Sequence, residues 1–153
     1  MTNKILVAYF TKGGASEKYA NIIEDTLKEK ELDVETINLA HNIPDIKPYD
    51  TVILGTGVRM FMVYRRWKKN LKKKTLAKKN LFMFLSSGMA IEEPEKAVDK
   101  FLQPIVKKYG LKPKLLVSFP VIIPEKWAKS DDQKETIKPD KAKKWAKKIA
   151  SLL

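Results

Sequence analysis

Five short apolar runs alternate along this chain with stretches of helical periodicity, and that alternation limits its folds more than any other feature. The runs are Lys4–Phe10, Asp33–Leu39, Asp50–Gly55, Asn80–Ser86 and Lys114–Phe119. Four are nearly continuous in Val, Ile, Leu, Phe and Met, the pattern of strands covered on both faces. The second, Val34-Glu35-Thr36-Ile37-Asn38-Leu39, mixes polar with apolar residues and suits a sheet edge. Between the runs, Ala20, Ile23 and Leu27 form one face of a first helix, flanked by Glu24 and Lys28 at i, i+4. Val63, Trp67 and Leu71 recur at four-residue spacing and predict a second. Val98, Phe101, Leu102, Ile105, Val106 and Tyr109 form the stripe of a third, with Pro94 in its first turn, Glu92, Glu93 and Glu95 at its positive end and Gly110 to stop it. Pro104 inside that stripe predicts a kink or a break. A last helix opens at Pro139 and buries Ala142, Trp145, Ala146, Ile149 and Leu152 or Leu153.

Ala40–Tyr49, with Pro44 and Pro48, reads as a loop containing a turn. Pro120–Pro124 is expected to leave the sheet, and Glu125–Lys138 to be a polar loop. The pattern predicts an α/β fold: one domain over residues 1–153, with a doubly wound five-stranded parallel sheet, order 2-1-3-4-5, between two layers of helices.

With 153 residues and 44% hydrophobic content, the chain can build a sizeable core. It has no cysteine, which removes disulfides, thiolate nucleophiles and cysteine metal sites. Ile5–Phe10 is too short for a signal sequence, and no run approaches the roughly 18 apolar residues of a membrane span. A cytoplasmic protein is expected. The net charge of +13 is unusual, and nine basic residues with no acid fall between Arg65 and Lys79. A field of that sign would attract an acidic protein, with nucleic acid as the lesser candidate, or an anionic membrane surface, or it is simply a solvated lysine-rich surface.

Ligands of doubly wound sheets bind outside the carboxyl ends of the strands, where strand order reverses. Here that singles out three loops. In Thr11-Lys12-Gly13-Gly14-Ala15-Ser16, two glycines permit successive N–H groups to face inward, a helix N-terminus follows, and Thr11 and Ser16 supply hydroxyls: the chemistry of a phosphate cradle, or else of a plain tight connection. In Thr56-Gly57-Val58-Arg59-Met60-Phe61, large apolar groups stand beside one guanidinium. They suit a flat ring with polar edges, or the core, and Arg59 either meets that ring or faces solvent. Ser86-Ser87-Gly88-Met89 would contact the ring's other side. The Walker phosphate loop and the Gly-x-Gly-x-x-Gly dinucleotide fingerprint are absent, which disfavours a tightly held NAD. His41, the sole histidine, lies in a proline-flanked loop and is not expected to be catalytic. No catalytic side chain and no metal ligand is assigned.

Thr11–Ser16 resembles the phosphate loop of the flavodoxin family, Thr/Ser-x-Thr-Gly-x-Thr, with Gly13 in place of the middle threonine. Val52–Met60 is similar to the third strand and following loop of the flavodoxin-like menaquinone-dependent protoporphyrinogen oxidases. The resemblance implies non-covalent FMN, held by the three loops above. It also implies electron transfer or FMN-dependent oxidoreductase chemistry, with a redox partner protein, a quinone or another small-molecule acceptor. Arg59 near the pyrimidine edge of such a ring would favour negative charge on its reduced form and raise its potential. The alternative is a flavin-free shell whose basic face binds nucleic acid or an acidic protein.

Overall fold

The computed structural model describes residues 4–9, 15–39, 46–56, 79–87, 90, 92–120 and 139–153. The apolar runs form five strands: β1 (Lys4–Tyr9), β2 (Asp33–Asn38), β3 (Thr51–Thr56), β4 (Asn80–Ser87) and β5 (Leu115–Pro120). They make one sheet in the order β2-β1-β3-β4-β5, every pair parallel. The helices are α1 (Ala15–Glu29), α2 (Pro94–Ala97), α3 (Gln103–Tyr109) and α4 (Pro139–Ser151).

Alternation along each strand assigns its side chains to two cores. Ile5, Val7, Ile53, Phe82, Phe84 and Phe119 pack under α1 and α4, against Tyr19, Ile23, Leu27, Trp145 and Ile149. Leu6, Ala8, Val52, Leu54, Met83 and Leu85 face the other way, against Ala97, Leu102, Ile105, Ile46 and Tyr49. Ile5 to Ala8 are fully buried, which is why β1 carries no polar residue past Lys4. β2 is an edge strand, as its mixed composition predicts. β5 is the other edge, and its first three residues are only half-buried.

Gly55 and Phe84 are register partners across β3 and β4. A Cβ on Gly55 would stand 1.9 Å from Phe84 Cζ, so the ring lies directly on the bare backbone. Phe84 in turn contacts the rings of Phe119 and Trp145 at centroid distances of 5.8 and 6.0 Å.

Pro104 produces a break of a particular kind. α2 passes into a π turn, Val98–Leu102, in which the Gln103 N–H reaches back five residues to the Val98 carbonyl. Proline has no N–H, and its ring collides with the carbonyl four residues earlier. Widening the turn lets α3 restart with Pro104 in its first turn, where no N–H is required. Gly110 then ends α3 in the left-handed region at φ 63°.

Several boundaries shift from expectation. β4 continues through Ser87, and Pro120 pairs with it as the last residue of β5 instead of leaving the sheet. An edge strand tolerates proline because one side of its ladder is unpaired. At the C-terminus Leu153 packs on the core, while Leu152 is 47% exposed. The expected helix around Trp67, the segment Arg65–Lys78, His41 and the loop 125–138 lie outside the described residues. Within Ala40–Tyr49, the described end turns through a Tyr49 N–H to Ile46 carbonyl bond of 3.1 Å.

Candidate functional site

Parallel pairing brings all five carboxyl ends to one side of the sheet. From β1 the chain moves outward to β2, then returns across to β3, so the strand order reverses between β1 and β3, the position at which doubly wound sheets hold ligands in a crevice. Tyr9 ends β1 and Thr56 ends β3, with Ser86 and Ser87 ending the neighbouring β4. α1 begins at Ala15, with only five residues between it and Tyr9. Its N-terminus, with N–H groups that have no partner within the helix, therefore lies at this end of the sheet.

The first turn of α1 is tied to the sheet by a buried contact. The Ser16 hydroxyl lies 2.9 Å from the Ser86 hydroxyl, across 70 residues of sequence. Their residues are 1% and 3% exposed. Ser86 has the same strand parity as Phe82 and Phe84, the face that α1 covers, whereas Ser87 points to the opposite face. A hydroxyl carries one donor and two acceptor lone pairs, so each serine keeps hydrogen-bonding capacity beyond this contact. A turn further along α1, the Tyr19 hydroxyl donates to the Pro120 carbonyl at 2.5 Å, and the Tyr19 ring stacks on Phe119 at 4.7 Å. α1 is thus anchored to the ends of both β4 and β5.

Tyr9 is buried at the tip of β1. Burial, then the charge and hydrogen bonding of Glu17, push its phenol above its ordinary pKa. Tyr9 thus enters the site as a neutral hydroxyl group.

Among the expected site residues, Ala15 and Ser16 belong to the first turn of α1, Thr56 is the last residue of β3, and Ser86 and Ser87 are the last two of β4. These five were expected in loops; the structure brings them together as element ends. Thr11, Lys12, Gly13, Gly14, Gly57, Val58, Arg59, Met60, Phe61, Gly88 and Met89 lie outside the described residues. Tyr9 escaped the sequence reading because nothing distinguishes it from the rest of an apolar strand. The apolar run read from the sequence extends to Phe10, so Tyr9 did not stand out as a strand end.

The comparisons agree with this geometry. No curated protein matches the chain in sequence. Among solved structures, flavodoxin 1 of Bacillus cereus superimposes with a TM-score of 0.67 at 19% identity, covering 99% of each chain. The flavodoxin of Fusobacterium nucleatum, solved bound to flavin mononucleotide, gives 0.65 at 18%, again with 99% of each chain covered. Rubredoxin:oxygen oxidoreductase of Desulfovibrio gigas gives 0.61 at 16%, with 99% of this chain covering 36% of that one. At these identities the likeness establishes the fold. The profile of the flavodoxin domain matches residues 6–120, and the chain belongs to that family.

Proposed function

We propose that this protein binds FMN non-covalently in the crevice between β1 and β3 and transfers electrons through it. The observation that carries the reading is the convergence of the α1 N-terminus with the Ser16 and Ser86 hydroxyls at the strand-order reversal. The donor set fits the ligand. Helix N–H groups and a serine hydroxyl suit a phosphate ester, the strand ends Tyr9, Thr56, Ser86 and Ser87 carry no carboxylate, and Glu17, the acid in the first turn of α1, is engaged by the Tyr9 phenol.

FMN supplies the redox centre, taking up and releasing electrons. The chain's own residues have other tasks. Ser16 and the first turn of α1 hold the phosphate, with Thr11–Ala15 as the rest of the cradle. Ser86 fixes Ser16, and so sets the height of the helix above the sheet. Gly55 and Phe84 form a packed floor below the crevice. The likeness of Val52–Met60 to the quinone-linked oxidases supports a quinone or other small-molecule acceptor as an alternative to a protein partner. Reoxidation of the reduced protein by a soluble quinone, compared with reoxidation by air alone, tests that choice.

The binding test is a titration of the protein into FMN, followed by flavin fluorescence. Saturable quenching at one FMN per chain is expected, with riboflavin, which lacks the phosphate, binding at least about tenfold more weakly. Absence of saturable FMN binding overturns the proposal, and equal affinity for riboflavin removes the phosphate cradle from it.

A further inference from the structure

The crevice occupies one end of the sheet, and the opposite end has a distinct chemistry. There the segments 46–50, 79–80 and 107–114 meet. The Asn80 N–H donates to the Asp50 carbonyl at 3.0 Å, and the Lys114 N–H to the Leu81 carbonyl at 2.8 Å. These segments carry Lys47, Lys79, Lys107, Lys108, Lys112 and Lys114 against a single acid, Asp50. Five of the lysines are exposed and Lys79 is half-buried. The Lys79 ammonium donates to the Lys47 carbonyl at 3.1 Å, which holds it beside the segment that carries Lys47. The Asp50 carboxylate accepts the Lys4 N–H at 3.2 Å.

Local roles explain only part of this cluster. Lys107 and Lys108 lie in the last turn of α3, where cations offset the helix dipole. Lys112 and Lys114 precede the edge strand β5, where lysine discourages strand addition. Lys47 and Lys79 precede the inner strands β3 and β4, so neither reason applies to them. Solubility alone would be served by spreading like charges apart, since gathering them raises self-repulsion. By contrast, Glu92, Glu93 and Glu95 lie at the start of α2 and Asp140 at the start of α4, toward the crevice end. The α1–β2 turn at the amino-terminal end mixes Lys28 and Lys30 with Glu29, Glu31 and Asp33, so the excess of lysine belongs to the side of that end where β3, β4 and β5 begin.

We propose that the amino-terminal end of the sheet is a docking surface for an acidic protein, whose clustered carboxylates engage these six lysines. The eight residues of β4 separate this surface from the crevice, about 26 Å at the rise of an extended strand. A partner held there leaves the crevice uncovered. A protein suits the surface better than a nucleic acid. Among the described side chains no exposed aromatic ring offers bases a stacking platform.

Fluorescently labelled poly-L-glutamate serves as the probe, with anisotropy read at ~0.05 M and ~0.3 M salt. Binding by the wild type at low salt that weakens at high salt is expected. Lys112→Glu/Lys114→Glu should lower affinity by about tenfold or more, whereas Lys143→Glu/Lys144→Glu, an equal change of charge on exposed α4 positions, should lower it less than about threefold. Lys47→Ala/Lys79→Ala provides a second reading should the first variant lose its circular dichroism. No binding of poly-L-glutamate by the wild type, or equal losses in the patch and α4 variants, overturns the proposal. Tighter, patch-dependent binding of duplex DNA also overturns it, in favour of a phosphate backbone.

Discussion

Gly55 is where one atom would do the most damage. Its missing side chain is the space that the Phe84 ring occupies, and that ring is wedged between Phe119 and Trp145. Gly55→Ala should therefore cost about 1–3 kcal/mol in denaturant unfolding, and the cost should shrink in a Phe84→Leu background, since the two residues share one space. Tyr49 makes a different residue-scale prediction. Its hydroxyl donates to Glu35 Oε2, and burial first, then Glu35, push its pKa up to about 12. The raised value favours the folded state below the unfolded phenol's pKa of about 10, and that advantage is lost as pH rises through 12. Tyr49→Phe should cost about 1 kcal/mol near neutrality. The gap between wild type and variant should close between pH 10 and 12, as followed by urea unfolding at each pH.

Helix termini give a pair of predictions of opposite sign. Gly110 and Glu31 both sit in the left-handed region, at φ 63° and 60°, and each follows a helix end. Gly110→Ala should cost about 1 kcal/mol, although nothing lies within 4 Å of the added carbon, because the penalty is in the backbone. Glu31→Gly, at an exposed position, should add about 0.5–1 kcal/mol. Thermal unfolding of the two variants checks both signs. At this scale the sequence was informative wherever burial dictated composition. All five strands, the Glu24–Lys28 pair, now seen at 2.7 Å, and the buried face of α4 could be read from it. Strand ends were not, because Thr56, Ser87 and Pro120 are held by their ladder partners and not by their own hydrophobicity. Pro104 announced a break, but packing chose the π turn. The Ser16–Ser86 contact was hidden for a related reason: both serines were singled out, yet nothing in the sequence said which face of the sheet α1 would cover.

Across the whole molecule, a net charge of +13 on 153 residues makes self-repulsion a measurable term. Raising salt from ~0.01 M to ~0.15 M shortens the Debye length to about 8 Å, and the thermal midpoint should rise as a result; a midpoint independent of salt would mean the lysines are spaced widely enough not to interact. None of the described helices is long and apolar enough to cross a membrane. The family profile and the strand order agree on the fold, and the reversal of strand order sets the position of the proposed crevice. Below that crevice, the aromatic ring seated on bare backbone pins two adjacent strands at a fixed height. They cannot slip past one another or splay without lifting the ring out of its seat. The proposed ligand would meet a platform whose shape was settled when the chain folded, so the order of this end of the sheet owes as much to an absent carbon as to the side chains around it.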